Sequence, residues 1–321
     1  MRFLALLPVL CSTAALILSF LCLFAGHKKG FMEEYSLLTL NTSAVGENLI
    51  SSVTSSAGSS PLSSLWNLIP DSITNGVDSI TNGVTNEINE QINAFRERAG
   101  IEDFYSAHML NYCEGQFEPG EKPTATLSQK DISKNVTECS KSRAAYKFNP
   151  TQIIENALRK SGINVTLQDL KWPGDLQDGI DALNAAFTAM FVLYVLAIVL
   201  IFLTLVASAI SFFLSTSSRL VPGVNFLFAS LAFLTIALAS AVATAVMVKG
   251  TDVINEHGKP IGLEAVYGNK FLALTWAATG VMLVALVAWV AEFFIGRRKS
   301  GFRGEKVGMY ERKGMRTIRW V

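Results

Sequence analysis

Phe104-Tyr105-Ser106-Ala107-His108-Met109-Leu110-Asn111-Tyr112-Cys113-Glu114-Gly115, answered downstream by Glu138-Cys139-Ser140-Lys141-Ser142, is the stretch from which the rest of the chain is read. The chain has four cysteines, and Cys11 and Cys22 lie inside an apolar N-terminal run. Cys113 and Cys139 are the two in polar sequence, and the segment between them holds Pro119, Gly120, Pro123 and the sequon Asn135-Val136-Thr137. Closing a loop of about 25 residues by a cross-link contributes roughly 3 kcal/mol in the chain-entropy account. A glycosylation acceptor beside it points to the secretory lumen, where disulfides persist. A Cys113–Cys139 disulfide is therefore expected. Two unrelated free thiols are the competing account. A zinc site would call for a CxxC or paired histidines alongside, and neither is present.

Composition sets the class. Of 321 residues, 50% are hydrophobic and 17% charged, and the apolar ones come in long blocks, as in an integral membrane protein. Four blocks are long enough to cross a bilayer, which takes about 20 residues. The expected layout is a first transmembrane helix over 1–26, an extracellular domain over 27–181 and a second helix over 182–214. A cytoplasmic turn over 215–222, a third helix over 223–248 and a second extracellular loop over 249–270 follow. The fourth helix takes 271–295 and a basic tail 296–321. The first block also fits a signal peptide. Its length exceeds a signal h-region and the flanking Phe24-Ala25-Gly26 is a poor cleavage site, so an uncleaved span is expected. Small residues Ala237, Ala241 and Ala245 recur four apart in the third helix, a spacing that lets helices approach closely in lipid.

Orientation follows from the tail and the sequons. Arg297, Arg298, Lys299, Arg303, Lys306, Arg312, Lys313, Arg316 and Arg319 stand against Glu305 and Glu311, a net +7 directly after a span. Such density marks the cytoplasmic side, and an even number of spans puts both termini there. The sequons at Asn41, Asn135 and Asn164 all fall in the first loop, which then faces the lumen and the cell exterior. Lys28 and Lys29 oppose this orientation, but long loops translocate largely regardless of charge. The tail charges run on past what a topology signal needs, which suggests that they also bind an anionic inner leaflet.

Within the first loop, residues 51–61 are Ser-rich and read as a flexible linker. Asp71–Val77 is repeated as Asp78–Val84, and Ile73, Val77, Ile80, Val84, Ile88, Ile92 and Phe95 form an apolar helical stripe. That helix would pack on its own domain or dock on a partner or membrane surface. Aromatic-rich runs around Cys113 and at Ala144 to Phe148 suggest short strands. A helix is expected from Asn149-Pro150-Thr151 through Lys160, capped by Thr151 and ended by Gly162.

The quoted stretch, the later Cys139-Ser140 and Ala144-Ala145-Tyr146-Lys147-Phe148-Asn149-Pro150 together resemble the fungal Sur-seven/PalI family. Phe104, Tyr105, Asn111, Tyr112, Cys113 and Gly115 carry the motif. Phe31-Met32-Glu33-Glu34-Tyr35-Ser36-Leu37-Leu38-Thr39-Leu40-Asn41-Thr42-Ser43 resembles the start of that family's first extracellular loop. The resemblance implies a membrane all-α fold: a claudin-like bundle of four transmembrane helices with a small mixed α/β, disulfide-closed extracellular domain in the first loop. It further implies a plasma-membrane organising protein of the eisosome-associated cortical patches, serving cell-wall morphogenesis and endocytosis. Its partners would be eisosome scaffold or other membrane proteins and further copies of itself. An accessory subunit of an ambient-pH sensing receptor, as for PalI, is the alternative. Claudins carry a tryptophan before their first cysteine, whereas Leu110-Asn111-Tyr112-Cys113 has none, which argues against a paracellular barrier.

Reactive chemistry is not foreseen. His27, His108 and His257 are scattered without ligand spacing, and no GxSxG, HExxH or P-loop occurs. Glu292, near the end of the last helix, is within helical reach of Arg297 and Arg298 and reads as an ion-paired, snorkelling carboxylate. The expectation is no enzyme, no cofactor, no metal and no nucleic-acid partner.

Overall fold

The structure is a computed structural model that describes residues 3–45, 99–119, 132–161, 176–213 and 220–292. Four helices in it are long and apolar enough to cross a membrane. They are α1 (Phe3–Phe24), α3 (Leu176–Phe213), α4 (Leu220–Gly258) and α5 (Asn269–Glu292). A fifth, α2 (Pro150–Ser161), is short and amphipathic. The expected Ser-rich linker, the repeated heptad, the sequon at Asn164 and the whole basic tail lie outside the described residues.

α3 and α4 have 38 and 39 residues, so at a rise of about 1.5 Å each is nearly twice as long as a bilayer's hydrocarbon is thick. The segment 249–270, expected as a loop, therefore begins as helix and continues through a 3-10 turn at Lys259–Ile261 into a strand. Lys249, Asp252, Asn255 and Glu256 end the hydropathy without ending the helix. Lys249 and Asp252 are in fact an i,i+3 pair at 3.9 Å.

The described chain divides into two compact units. One comprises α1 up to Leu21, Leu193–Ser240 and α5 from Leu274 onward. It contains a set of buried hydroxyls. Ser240 Oγ lies 2.7 Å from Thr275 Oγ1 and 2.8 Å from Thr279 Oγ1, and the Thr275 hydroxyl also meets Tyr194 Oη. In lipid such bonds and close packing, rather than hydrophobic burial, hold helices together. On α4 the buried face is Ala229, Ala232, Ile236, Ala239, Ser240 and Ala243. Ala241 and Ala245 are exposed, so the small-residue stripe expected to pack faces outward. The stripe that does pack advances by three and four residues, as a helical face must, whereas a strict spacing of four drifts around the helix.

The second unit, Cys22–Val192 with Ala241–Ala273, is the head together with the helix segments that enter it. α3 and α4 pack there through reciprocal glycines. A Cβ on Gly179 would come within 2.6 Å of Val253 Cγ1, and one on Gly250 within 2.8 Å of Leu183 Cδ1.

The head's sheet is antiparallel, with strand order β4-β3-β2-β1-β5. Its strands are β1 (Leu38–Asn41), β2 (Phe104–Ala107), β3 (Tyr112–Glu118), β4 (Ser133–Cys139) and β5 (Glu264–Tyr267). The last comes from the connection between α4 and α5, so the sheet is not confined to the first loop. It registers Leu38 with Tyr267 and Asn41 with Glu264. All four residues of β2 and the first three of β1 are buried, as befits central strands covered on both faces.

α2 begins one residue earlier than its expected cap. Asn149 Oδ1 accepts the Gln152 N–H at 3.2 Å, and Pro150 takes the first helical position, where its missing N–H costs nothing. Ile153, Ile154 and Leu158 are its buried face.

Replacing Ser240 by Ala should destabilise the bundle by about 0.5–1.5 kcal/mol, and Thr275→Ala by a similar amount. The double variant should lose less than the sum, read as midpoints of thermal unfolding in nanodiscs, because both remove the same hydroxyl contact.

Candidate functional site

The segment after α1 returns on itself at once. Gly26 donates its N–H to the Phe31 carbonyl (3.0 Å), and Phe31 donates to the Lys28 carbonyl (3.2 Å). Gly26 has φ +68°, and a Cβ there would fall 2.3 Å from His108 Nδ1. Only glycine fits both conditions. Its carbonyl oxygen lies 3.4 Å from Cys113 Sγ, a sulfur that has no hydrogen to donate because it is bonded to Cys139.

Cys113 and Cys139 are directly opposed in β3 and β4, with Cα atoms 4.0 Å apart, and the S–S bond is formed. A bulge follows immediately between Glu114 and Gly115. Gly115 permits it, since a Cβ there would sit 2.1 Å from the Asn135 carbonyl oxygen. Beyond the disulfide the Cys-Ser pair fastens the turn that precedes β3. Ser140 donates its N–H to the Tyr112 carbonyl (2.8 Å), its Oγ accepts the Tyr112 N–H (3.2 Å), and its own carbonyl accepts Asn111 Nδ2 (3.1 Å). His108 N–H donates to the Asn111 carbonyl at 2.9 Å.

Every residue of the motif thus has a structural task. Phe104, Tyr105, Asn111 and Cys113 are at most 1% exposed, and Tyr112 is half-buried between the rings of Tyr105 and Tyr146. Burial pushes the Tyr105 phenol well above its usual pKa. Lys134 reaches across from β4, its Nζ 5.5 Å over the Phe104 ring and 2.8 Å from Thr39 Oγ1.

Two of the three sequon asparagines are described. Asn135 is exposed on β4, with Nδ2 2.6 Å from Glu118 Oε1. Asn41 ends β1 half-buried, its Oδ1 accepting both the N–H (3.0 Å) and the hydroxyl (2.7 Å) of Ser43, while Thr42 is fully buried.

Among the described residues no group of three His, Cys, Asp or Glu side chains is placed to hold a metal ion. The Nδ1 atoms of His27 and His257 bond to the local carbonyls of Phe24 and Val253. Glu114, beside Glu102 and Glu138, has its carboxyl raised, first by burial and then by those two charges. Sequence reasoning missed Gly26, β1 and β5. It also missed Asn255, whose side-chain amide pairs with both the N–H (2.7 Å) and the carbonyl (3.0 Å) of Ala265 and so covers part of the sheet's edge.

Four helices long and apolar enough to cross a membrane, and a disulfide-closed antiparallel sheet, are accompanied by a match to the SUR7/PalI family over residues 4–288. The chain belongs to that family. It is similar to the SUR7 family protein pun1 of Schizosaccharomyces pombe (strain 972 / ATCC 24843), at 26% identity over 302 residues, covering 91% of this chain and 93% of that protein. In this SUR7/PalI member the motif FYSAHMLNYCEG is a folding motif: it supplies the centre of the sheet, the disulfide and the ring against which the segment after α1 closes.

His108 supplies a measurable consequence. It is 1% exposed, and the Tyr35 backbone lies near the ring without meeting either nitrogen in hydrogen-bond geometry. Burial lowers its pKa to about 4 from an ordinary 6.5. Between those values the unfolded chain binds a proton that the folded head refuses, so stability is intact above about pH 6.5 and falls as pH drops towards 4. The full loss amounts to about 3 kcal/mol. Thermal unfolding followed from pH 7.5 to 4.5 should show a steeper fall for the wild type than for His108→Gln.

Proposed function

We propose that this SUR7/PalI family protein is a non-enzymatic organiser of the plasma membrane, resident in eisosome-associated cortical patches. There it supports membrane organisation, cell-wall morphogenesis and endocytosis. The observation that carries this reading is the combination of family membership across nearly the whole chain with a motif spent entirely on folding. A protein built in this way works through the surfaces it holds in place: the head on one side of the bilayer, the lipid-facing helix flanks, and the tail.

In this reading both termini are cytoplasmic, and Asn41, Asn135 and Asn164 are in the lumen and then outside the cell. Asn135 presents the exposed amide. The tail from Arg297 to Arg319 lies on the anionic inner leaflet, where each Lys or Arg contributes about 1 kcal/mol. Scaffold proteins of the cortical furrows and further copies of this chain are the partners that such surfaces would engage.

Imaging of the tagged protein in live cells should show immobile cortical patches, and pull-down should recover furrow-shaping scaffold proteins. Diffuse or endosomal signal with recovery of a seven-span sensor would instead support the PalI-like role in ambient-pH sensing. Substituting Gln for Arg312, Lys313, Arg316 and Arg319 should leave orientation unchanged, because Arg297, Arg298 and Lys299 remain as the topology signal. It should raise lateral mobility, measured by photobleaching recovery. Glycosidase treatment should increase electrophoretic mobility, and an unchanged band together with a protected tail would reverse the proposed orientation.

A further inference from the structure

Lys28 and Lys29 are left without a role by the positive-inside rule, and the structure shows where they stand. They form the exposed tip of the hydrogen-bonded turn that follows α1, only a few residues beyond Phe24, the last residue of that helix. Beneath the tip lie three rings. His27 is edge-on to Phe24 at 6.2 Å and to Phe31 at 4.9 Å, and Phe24 itself is 41% exposed. A second basic segment is fastened to the turn: Ser142 Oγ donates to the His27 carbonyl at 3.0 Å, and Lys29 Nζ donates to the Thr137 carbonyl at 3.3 Å. Lys141 and Arg143, both exposed, flank Ser142.

None of the four cations is in an ion pair with a described residue. Of the nearby acids, Glu33 accepts the Gly30 N–H, Glu34 is paired with Lys270, and Glu138 is registered with Glu114 on its own face of the hairpin. The result is four exposed cations on two segments that are fastened to each other, beside one exposed and two partly exposed rings, just past the end of a helix apolar enough to cross a bilayer. Aromatic rings favour the headgroup level of a bilayer, and clustered Lys and Arg attract its anionic groups.

The geometry points to a lipid-headgroup site at this turn: Lys28, Lys29, Lys141 and Arg143 bind the phosphate of an anionic lipid in the leaflet on the head's side, and Phe24, His27 and Phe31 seat its upper chain. The position of the rings at the end of α1, whose other exposed side chains are mostly apolar, favours a membrane lipid over a soluble phosphorylated glycan. The site does not depend on residence in cortical patches.

The test uses the full chain with Arg312, Lys313, Arg316 and Arg319 replaced by Gln, to quiet the tail, in phosphatidylcholine nanodiscs containing a photoactivatable phosphatidylinositol. Cross-linked peptides are located by mass spectrometry. Cross-links are expected in the peptides carrying residues 24–31 and 141–143. Lys28→Gln with Lys29→Gln should lower their yield by about tenfold, while Lys28→Arg with Lys29→Arg should retain it. Unfolding in pure phosphatidylcholine and an intact disulfide on non-reducing gels establish that the variants fold. Should the first pair disturb the turn, Lys141→Gln with Arg143→Gln carries the same expectation. Cross-links confined to the tail, or an unchanged yield in a folded Gln variant, would overturn the proposal. Cross-linking of equal yield to a photoactivatable glycerophosphoinositol, which has no acyl chains, would overturn the assignment to a lipid.

Discussion

The cross-strand bond between Cys113 and Cys139 is the fixed point to which the head is referred. One of its sulfurs touches the Gly26 carbonyl, and the glycine in turn lies flat against His108. Three separate pieces of chain meet there: the segment leaving α1, the turn from His108 to Asn111, and the β3–β4 hairpin. Each tolerates little change. A Cβ on Gly26 would strike the imidazole, one on Gly115 would strike the Asn135 carbonyl, and loss of the Ser140 contacts would free the turn that positions Cys113. A buried uncharged histidine and a covalent link suit such a junction, because neither depends on water.

How much of this could be read from the sequence divides along physical lines. The disulfide and the four spans were legible because each rests on a local property: two cysteines set in polar sequence, and runs of apolar residues longer than a bilayer needs. α2 was legible for the same reason, although the choice between Asn149 and Thr151 as its cap depended on which side chain reached the Gln152 N–H. The basic tail and Asn164 remain sequence readings alone, since they lie outside the described residues.

What escaped was non-local. Leu38-Thr39-Leu40-Asn41 is too short to announce a strand, and it becomes one only because β2 and β5 flank it. Glu264-Ala265-Val266-Tyr267 sits between two spans and reads as a connector. His108 has nothing in its neighbours to suggest burial; Gly26, far away in sequence, encloses it. The alanine spacing in α4 misled because small residues permit close packing without saying which face meets another helix. The hydroxyls of Ser240, Thr275 and Thr279 identify that face. Likewise, hydropathy marks where the bilayer ends and not where a helix ends, so α3 and α4 ran past their expected limits.

The strand order has a consequence for how the head is completed. β1 through β4 are all encoded before α3, but β1 pairs on its far side with β5, which is made only after α4. Until then β1 presents an unpaired edge flanked by buried leucines, a surface prone to non-native pairing. Asn255, near the end of α4, holds Ala265 by both of its backbone groups and so sets the strand beside β1. Closure of the sheet thus requires α4 to be formed and correctly placed. The disulfide cannot substitute for this, because it joins β3 to β4 at the opposite side of the sheet. The two fasteners act on different edges: one is covalent and encoded early, the other is a single amide that arrives with the last spans, and the finished head reports that both loops lie on the same side of the membrane.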